Sequence, residues 1–208
     1  MMPARPTDKP MRERIIEAAV EVIRERGVTG ATTKEIARTA KVSEGSLYNH
    51  FENKRALFGA AFGAVGSGIR AVVADLAKRV GEDTVEANLT RLAAAEIRFY
   101  ANLLPMTGPV LANRDLQGWL RRTGRNAGPI QGNAGLIRYL EAEQRAGRLA
   151  EHAKPPFIAA TLLGACQQYA FLSLLVGEAA LAEGAGLPTD VDEYARQVVR
   201  TVLAAQLP

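Results

Sequence analysis

The residues best suited to chemistry form one run. Ser43-Glu44-Gly45-Ser46 places small side chains around a single carboxylate, and Tyr48, Asn49, His50 and Lys54 follow within eight positions. This is the chemistry of holding a ligand, not of making or breaking a bond. Small groups let a backbone approach a partner closely, Glu44 offers only acceptors, and Ser46 and Asn49 reach hydrogen-bonding edges. If Ser43 caps a short helix, its first-turn amides also favour a nearby phosphate. Asn53 is an equally good cap, so the helix that starts at Lys54 presents amides and an ammonium together. The base-edge candidates are Glu44, Gly45, Ser46 and Asn49. Glu44 has two readings at this point: acceptance from a cytosine amino group, or repulsion of phosphate that sharpens specificity.

Enzyme chemistry finds no support. The two histidines, His50 and His152, lie far apart in sequence. Metal-ligand spacing, a nucleophile elbow and a P-loop are all lacking. Gly63, Gly66 and Gly68 fall inside a helical pattern and not after a strand, so they are no dinucleotide fingerprint. No cofactor is implied.

The elements that must position the run are helical. Ile15, Ile16, Ala19, Val22 and Ile23 recur at helical spacing from Met11, and Gly27 ends that helix. Thr32-Thr33-Lys34-Glu35 reads as a capping box for a second helix carrying Ile36, Ala37 and Ala40. Lys41-Val42-Ser43 turns the chain, and a third short helix runs to about His50 with Leu47 inward. Helix, short helix, tight turn and short helix is the geometry of a DNA-binding helix-turn-helix. A fourth helix carries Leu57, Phe58, Phe62 and Val65 and continues to Gly81. Its glycines predict a bend near 63–68 or a close helix contact. The rest also reads as helix. A capping box from Asp83 to Glu86 opens a helix that Pro105 stops near Leu104. A helical segment covers about 109–122, and a Gly-rich loop covers 123–132. A helix ends at Gly147, a long one runs from Pro155-Pro156 to Val176, and a turn spans Gly184 to Pro188. A last helix is capped by Thr189 and Asp190. The expected class is all-α: an arm over 1–10, a helix-turn-helix domain over 11–55 and a larger helical domain over 56–208.

The pattern resembles the TetR family of bacterial regulators. It is carried by Thr33, Ile36-Ala37, Ala40, Val42-Ser43, Gly45, Leu47-Tyr48, His50-Phe51, Lys54 and Leu57, with Ile15, Ala18-Ala19, Glu25 and Gly27 in the first helix. The likeness spans about residues 12–62. It implies a transcriptional regulator, more often a repressor than an activator. It places Thr33, Lys34, Tyr48, His50 and Lys54 on the phosphate flanks of a major groove, which leaves Glu44, Gly45, Ser46 and Asn49 for the bases, with Ser43 among the DNA-binding residues as the cap of the reading helix. Each has a plainer alternative: Tyr48 covering the small core, His50 free in solvent, Lys54 a solvated helix-start charge. The resemblance also implies a homodimer through about 156–177 and 190–205, binding a pseudo-palindromic operator, and a cavity for a small-molecule effector. Candidate cavity residues are Tyr100, Leu104, Met106, Trp119, Leu140, Gln167, Gln168 and Phe171. Gln167 and Gln168 serve the dimer interface equally well.

Composition agrees. The 208 residues carry a net charge of +4, and residues 1–58 hold 11 Lys/Arg against 8 Asp/Glu, so most of the basic excess sits beside the run. The one cysteine, Cys166, excludes an intramolecular disulfide and reads as core. The polar, Pro-rich first residues lack the apolar stretch of a secretory signal, which predicts a cytoplasmic protein. From Pro155 to Gly177 no charge occurs. The glutamines, Tyr169 and the paired prolines argue for a buried soluble helix over a membrane span.

Overall fold

The structure, a computed structural model, describes residues 9–111, 114, 117–118 and 129–208. Every described element is helical: α1 (Met11–Gly30), α2 (Thr33–Ala40), α3 (Glu44–His50), α4 (Lys54–Lys78), α5 (Val85–Leu111), α6 (Pro129–Arg145), α7 (Pro155–Val176), α8 (Glu178–Ala185) and α9 (Val191–Leu203). The chain forms two compact units. The first is Met1–Val65 with Asn102–Arg122, and the second is Gly66–Ala101 with Thr123–Pro208. The expected boundary at 55/56 thus lies inside the first unit, and the division falls within α4 beside its glycine cluster.

The first unit closes around one apolar cluster. Ile15, Ala19, Val22 and Ile23 of α1 meet Ile36, Ala37 and Ala40 of α2, Leu47 of α3, and Leu57, Phe58 and Ala61 of α4. The helical spacing of these residues is what turns them to a common side. At Gly27 the backbone leaves helical geometry (φ 69°, ψ 167°), a left-handed φ that suits glycine. Arg14 Nη2 donates to the Ala40 carbonyl at 2.8 Å, tying α1 to the last turn of α2.

The second unit packs α7 against α6, α8 and α9. Tyr169 stacks on Tyr194 with centroids 4.1 Å apart. The Tyr169 hydroxyl donates to the carbonyls of Pro188 (2.8 Å) and Thr189 (3.1 Å), and the Tyr194 hydroxyl donates to that of Ala165 (3.2 Å). Both phenols bury their rings and keep a polar partner, which fixes α9 on α7. Buried Asn88 gives its amide to the Glu82 carbonyl (2.8 Å) and to Tyr139 Oη (3.0 Å), so α5, the turn before it and α6 share one polar lock. Fully buried Glu143 pairs with Arg148 at 3.2 Å.

Four local expectations need correction. Pro105 does not stop α5, which continues to Leu111. Met106, one residue beyond the proline, is fully buried in the first unit's core, and that packing outweighs the lost backbone bond. Thr84, not Asp83, caps α5: its hydroxyl accepts from the Ala87 amide at 3.0 Å while Asp83 takes a left-handed φ of 54°. Residues 129–132, expected as loop, begin α6, since proline suits a first helical turn. Residues 123–128 lie outside the described residues. Beyond Gly177, at φ 85°, the helix formers of Glu178–Ala185 make a further helix, α8, which runs into the turn expected from Gly184. The glycine cluster is continuous helix in α4. Among the described residues, a Cβ built at Gly63 or Gly68 meets nothing within 4 Å, and no close contact there calls for them.

Candidate nucleic-acid interface and effector site

Helix α2 starts where Thr32 Oγ1 accepts from the Glu35 amide at 3.2 Å. The Glu35 carboxylate turns back to the Thr32 hydroxyl at 3.1 Å and also pairs with Arg26. The helix ends at Lys41, whose left-handed φ of 57° lets its amide reach Arg38 and the Val42 amide reach Ala37. Ser43 then caps α3, its Oγ accepting from the Ser46 amide at 3.0 Å and lying 2.8 Å from Ser46 Oγ. Two caps around one left-handed residue set the angle between α2 and α3.

On α3 only Leu47 is buried. Ser43, Glu44, Gly45, Tyr48, Asn49 and His50 are exposed and Ser46 is half-buried, so one side of the helix anchors it and the rest faces out. Tyr48 is 47% exposed. Thr33 Oγ1 donates to Glu44 Oε1 at 2.5 Å, and Tyr48 Oη donates to Thr33 Oγ1 at 3.4 Å. Three expected contact residues therefore form one exposed chain across the two helices. Lys34 is exposed on the first turn of α2. Asn53 Oδ1 accepts from the Ala56 amide at 2.9 Å, capping α4, and Lys54 Nζ lies 5.0 Å over the Phe58 ring. Arg12 lies over Phe51 at 5.1 Å. Each cation thus lays its charged group over the face of a core aromatic. The set is a surface of donors, amides and one carboxylate.

The expected cavity residues that the structure describes are divided between the two units. Tyr100 and Leu140 are buried in the second unit. Leu104 and Met106 belong to the first unit, and Met106 is part of its core. Gln167, Gln168 and Phe171 are exposed on α7. Trp119 lies outside the described residues.

Sequence reasoning passed over Glu96. It is only 3% exposed, on α5 between Ala93 and Tyr100. Among the described residues no group hydrogen-bonds its carboxyl, and burial pushes it up to about 7. A Cβ built on Gly132 of α6 would lie 3.6 Å from Glu96 Oε1, so the carboxyl reaches the bare backbone of that helix. Tyr100 and Cys166 both sense its charge. Beside Gly132, Asn133 has a buried Oδ1 with no hydrogen-bond partner. The signal was present in the sequence: Leu89, Leu92, Ala93, Glu96, Ile97 and Tyr100 share one helical stripe, and only one of them is charged.

Comparison with known proteins agrees with the helix-turn-helix geometry. Residues 15–61 match "Bacterial regulatory proteins, tetR family", and residues 87–205 match "AefR-like transcriptional repressor, C-terminal domain". The HTH-type transcriptional repressor DhaR of Mycobacterium sp. (strain GP1) is 42% identical over 50 residues, 24% of this chain and 25% of that protein. The class D tetracycline repressor protein of Escherichia coli is 43% identical over 49 residues, 24% of this chain and 22% of that protein. The chain thus matches about a quarter of the length of these relatives. Among solved structures, a TetR-family transcriptional regulator from Mesorhizobium loti MAFF303099 superposes with a TM-score of 0.74 at 21% identity, covering 99% of this chain and all of the other. FadR from Bacillus subtilis, solved in complex with stearoyl-CoA, gives 0.67 at 19% identity over 92% of this chain and 97% of its own. With both family descriptions matched in order along an all-helical chain, the protein belongs to the TetR family of transcriptional regulators.

Proposed function

We propose that this regulator is a homodimeric repressor that grips a pseudo-palindromic operator and lets go when a small molecule occupies its second unit. The observation that carries the reading is α3: seven residues anchored by Leu47 alone, with Ser43, Glu44, Gly45, Tyr48, Asn49 and His50 all turned outward. A short helix with that exposure and a glycine in its first turn suits a major groove, with Glu44, Gly45, Ser46 and Asn49 toward base edges. Thr33, Lys34, Tyr48, His50 and Lys54 hold the phosphates on either side.

Dimerisation through α7 and α9 is supported by what α7 leaves uncovered. Phe157 is 74% exposed and Leu175 66%, with Phe171, Leu174 and Val176 about half exposed. An apolar row of that length on one protomer suits burial against the same row of another. Gln167 and Gln168 lie on this exposed side and go with the interface, not the cavity. Two-fold pairing gives two reading helices and a half-site spacing of about one or more DNA turns. Action on an operator places the protein in the cytoplasm.

Selection of bound duplexes from a random pool tests the reading. The expected product is a two-fold symmetric site bound by a dimer at moderate salt. No preference for any sequence would overturn it.

A further inference from the structure

We propose that Glu96 is the polar anchor of the effector site, and that the effector is a mainly apolar molecule presenting a protonated amine to its carboxyl. This rests on the reading of the second unit as the effector-binding part. Glu96 is nearly inaccessible, and among the described residues it has neither a cation nor a hydrogen-bond donor. A buried carboxyl without a partner is costly, so it persists only where something offsets the cost. Asn133 supplies a second buried acceptor without a donor, on the helix that Glu96 reaches. A buried carboxyl without a donor calls for a ligand rich in N–H groups. An ammonium has three.

The surroundings favour a cation over an anion. The titratable groups that sense Glu96 are Tyr100 on its own helix and Cys166 on α7. Burial pushes the Cys166 thiol up to about 12 and raises the Tyr100 phenol, so both stay neutral at physiological pH. No basic side chain among the described residues is there to receive a carboxylate or phosphate. The carboxyl lies against the bare backbone at Gly132, and neighbours such as Leu92, Ala93 and Ile97 are apolar. A charged ligand nitrogen would meet Glu96 in its ionised form, so amine binding below neutral pH releases a proton.

The full-length protein is titrated calorimetrically with n-alkyl primary amines of six to twelve carbons, and with the matching alcohols and carboxylates. The best amine is expected to bind at least tenfold more tightly than its alcohol, and the carboxylate least. Its affinity should rise about tenfold from pH 5.5 to 7.5, with proton release seen as a dependence on buffer ionisation heat at pH 6. Glu96→Gln should abolish the preference for amine over alcohol, the pH dependence and the proton release. Alcohols or carboxylates binding as well as amines, no amine binding at all, or an unchanged preference in Glu96→Gln would each overturn the proposal. The pH series on the unaltered protein stands even if the variant fails to fold. Because calorimetry needs no DNA, failure of operator selection would sink the repressor reading while leaving the Glu96 result intact.

Discussion

Thr33 at the start of α2 donates its hydroxyl to Glu44 at the start of α3, at 2.5 Å, so two expected DNA contacts already hold each other in the free protein. The pair is exposed, and its net contribution to stability is about 1 kcal/mol at most. Its consequence is orientation. The Glu44 carboxylate is held toward α2 and keeps one oxygen for a base. Glu44→Ala is therefore expected to leave thermal stability nearly unchanged. It should relax the sequence preference at one base pair per half-site, by about 1–3 kcal/mol of discrimination. Repeating the random-pool selection with the variant measures this. An unaltered profile would mean that Glu44 serves only to hold Thr33.

Gly45 separates folding from function. A Cβ built there comes no closer than 3.8 Å to any atom, the Ser43 hydroxyl, which is ordinary contact. Nothing among the described residues requires the glycine. Gly45→Ala should raise stability by up to about 1 kcal/mol through helix propensity, while a methyl on the outward face weakens operator binding at least tenfold. Urea unfolding and fluorescence anisotropy read the two effects. Unchanged affinity would remove the first turn of α3 from the groove.

Lys54 should act through charge alone. Its ammonium lies over Phe58, a contact worth about 0.5–1 kcal/mol at an exposed site, so Lys54→Ala should lower stability only by that amount. Loss of one phosphate contact per protomer should weaken binding to all sequences alike. It should also reduce the slope of log affinity against log salt by about two for the dimer. A slope equal to that of the unaltered protein would take Lys54 off the phosphate.

Much of the first unit was legible because its boundaries are written in single residues. Thr32, Ser43 and Asn53 each cap the helix that their type and position announced. The second unit was less legible because long-range packing decided it. On α5, which the two units share, Pro105 carries a stop signal, yet Met106 is buried in the first unit's core and the helix goes on. The uncharged stretch of α7 announced burial on all sides, but a single protomer covers only one side of it. The expected cavity residues combine apolar side chains with a few amide and indole groups, a character that does not show which way a helix turns them, and Gln167, Gln168 and Phe171 are exposed. Glu96 was missed because a lone acid among many reads as surface until its phase on the helix is checked.

Glu96 also predicts a pH dependence of folding. Its carboxyl sits at about 7 in the folded protein against an ordinary 4.5. A carboxyl raised by folding favours the folded state below its unfolded value, and that contribution is lost as pH climbs through the folded value. The protein should therefore lose up to about 3 kcal/mol between pH 4.5 and just above 7. Glu96→Gln, which stays neutral, should lose none of that amount. Urea unfolding of both proteins at pH 5 and pH 8 checks the difference, and equal pH dependence would show that Glu96 is solvated.

Gly135 offers a test of how the second unit grips α4. A Cβ at Gly135 would come within 2.3 Å of Val73 Cγ1, a separation no real pair of carbons tolerates, so α6 and α4 meet with the glycine as the gap. Gly135→Ala should cost about 1–3 kcal/mol as the two helices are forced apart, despite the better helix propensity of alanine. Val73→Ala alone should cost about 1 kcal/mol or more from lost packing. Joined, the two substitutions should cost less than their sum, since the smaller partner relieves the clash, and a double-mutant cycle of unfolding free energies measures the shortfall. Val73 stands on the same helix that begins at Lys54 beside the DNA-contacting residues. Gly135→Ala is accordingly also expected to alter operator affinity with no change to any DNA contact, and Val73→Ala should restore it. Strict additivity in the cycle would mean that α6 and α4 accommodate the methyl elsewhere and do not depend on this contact.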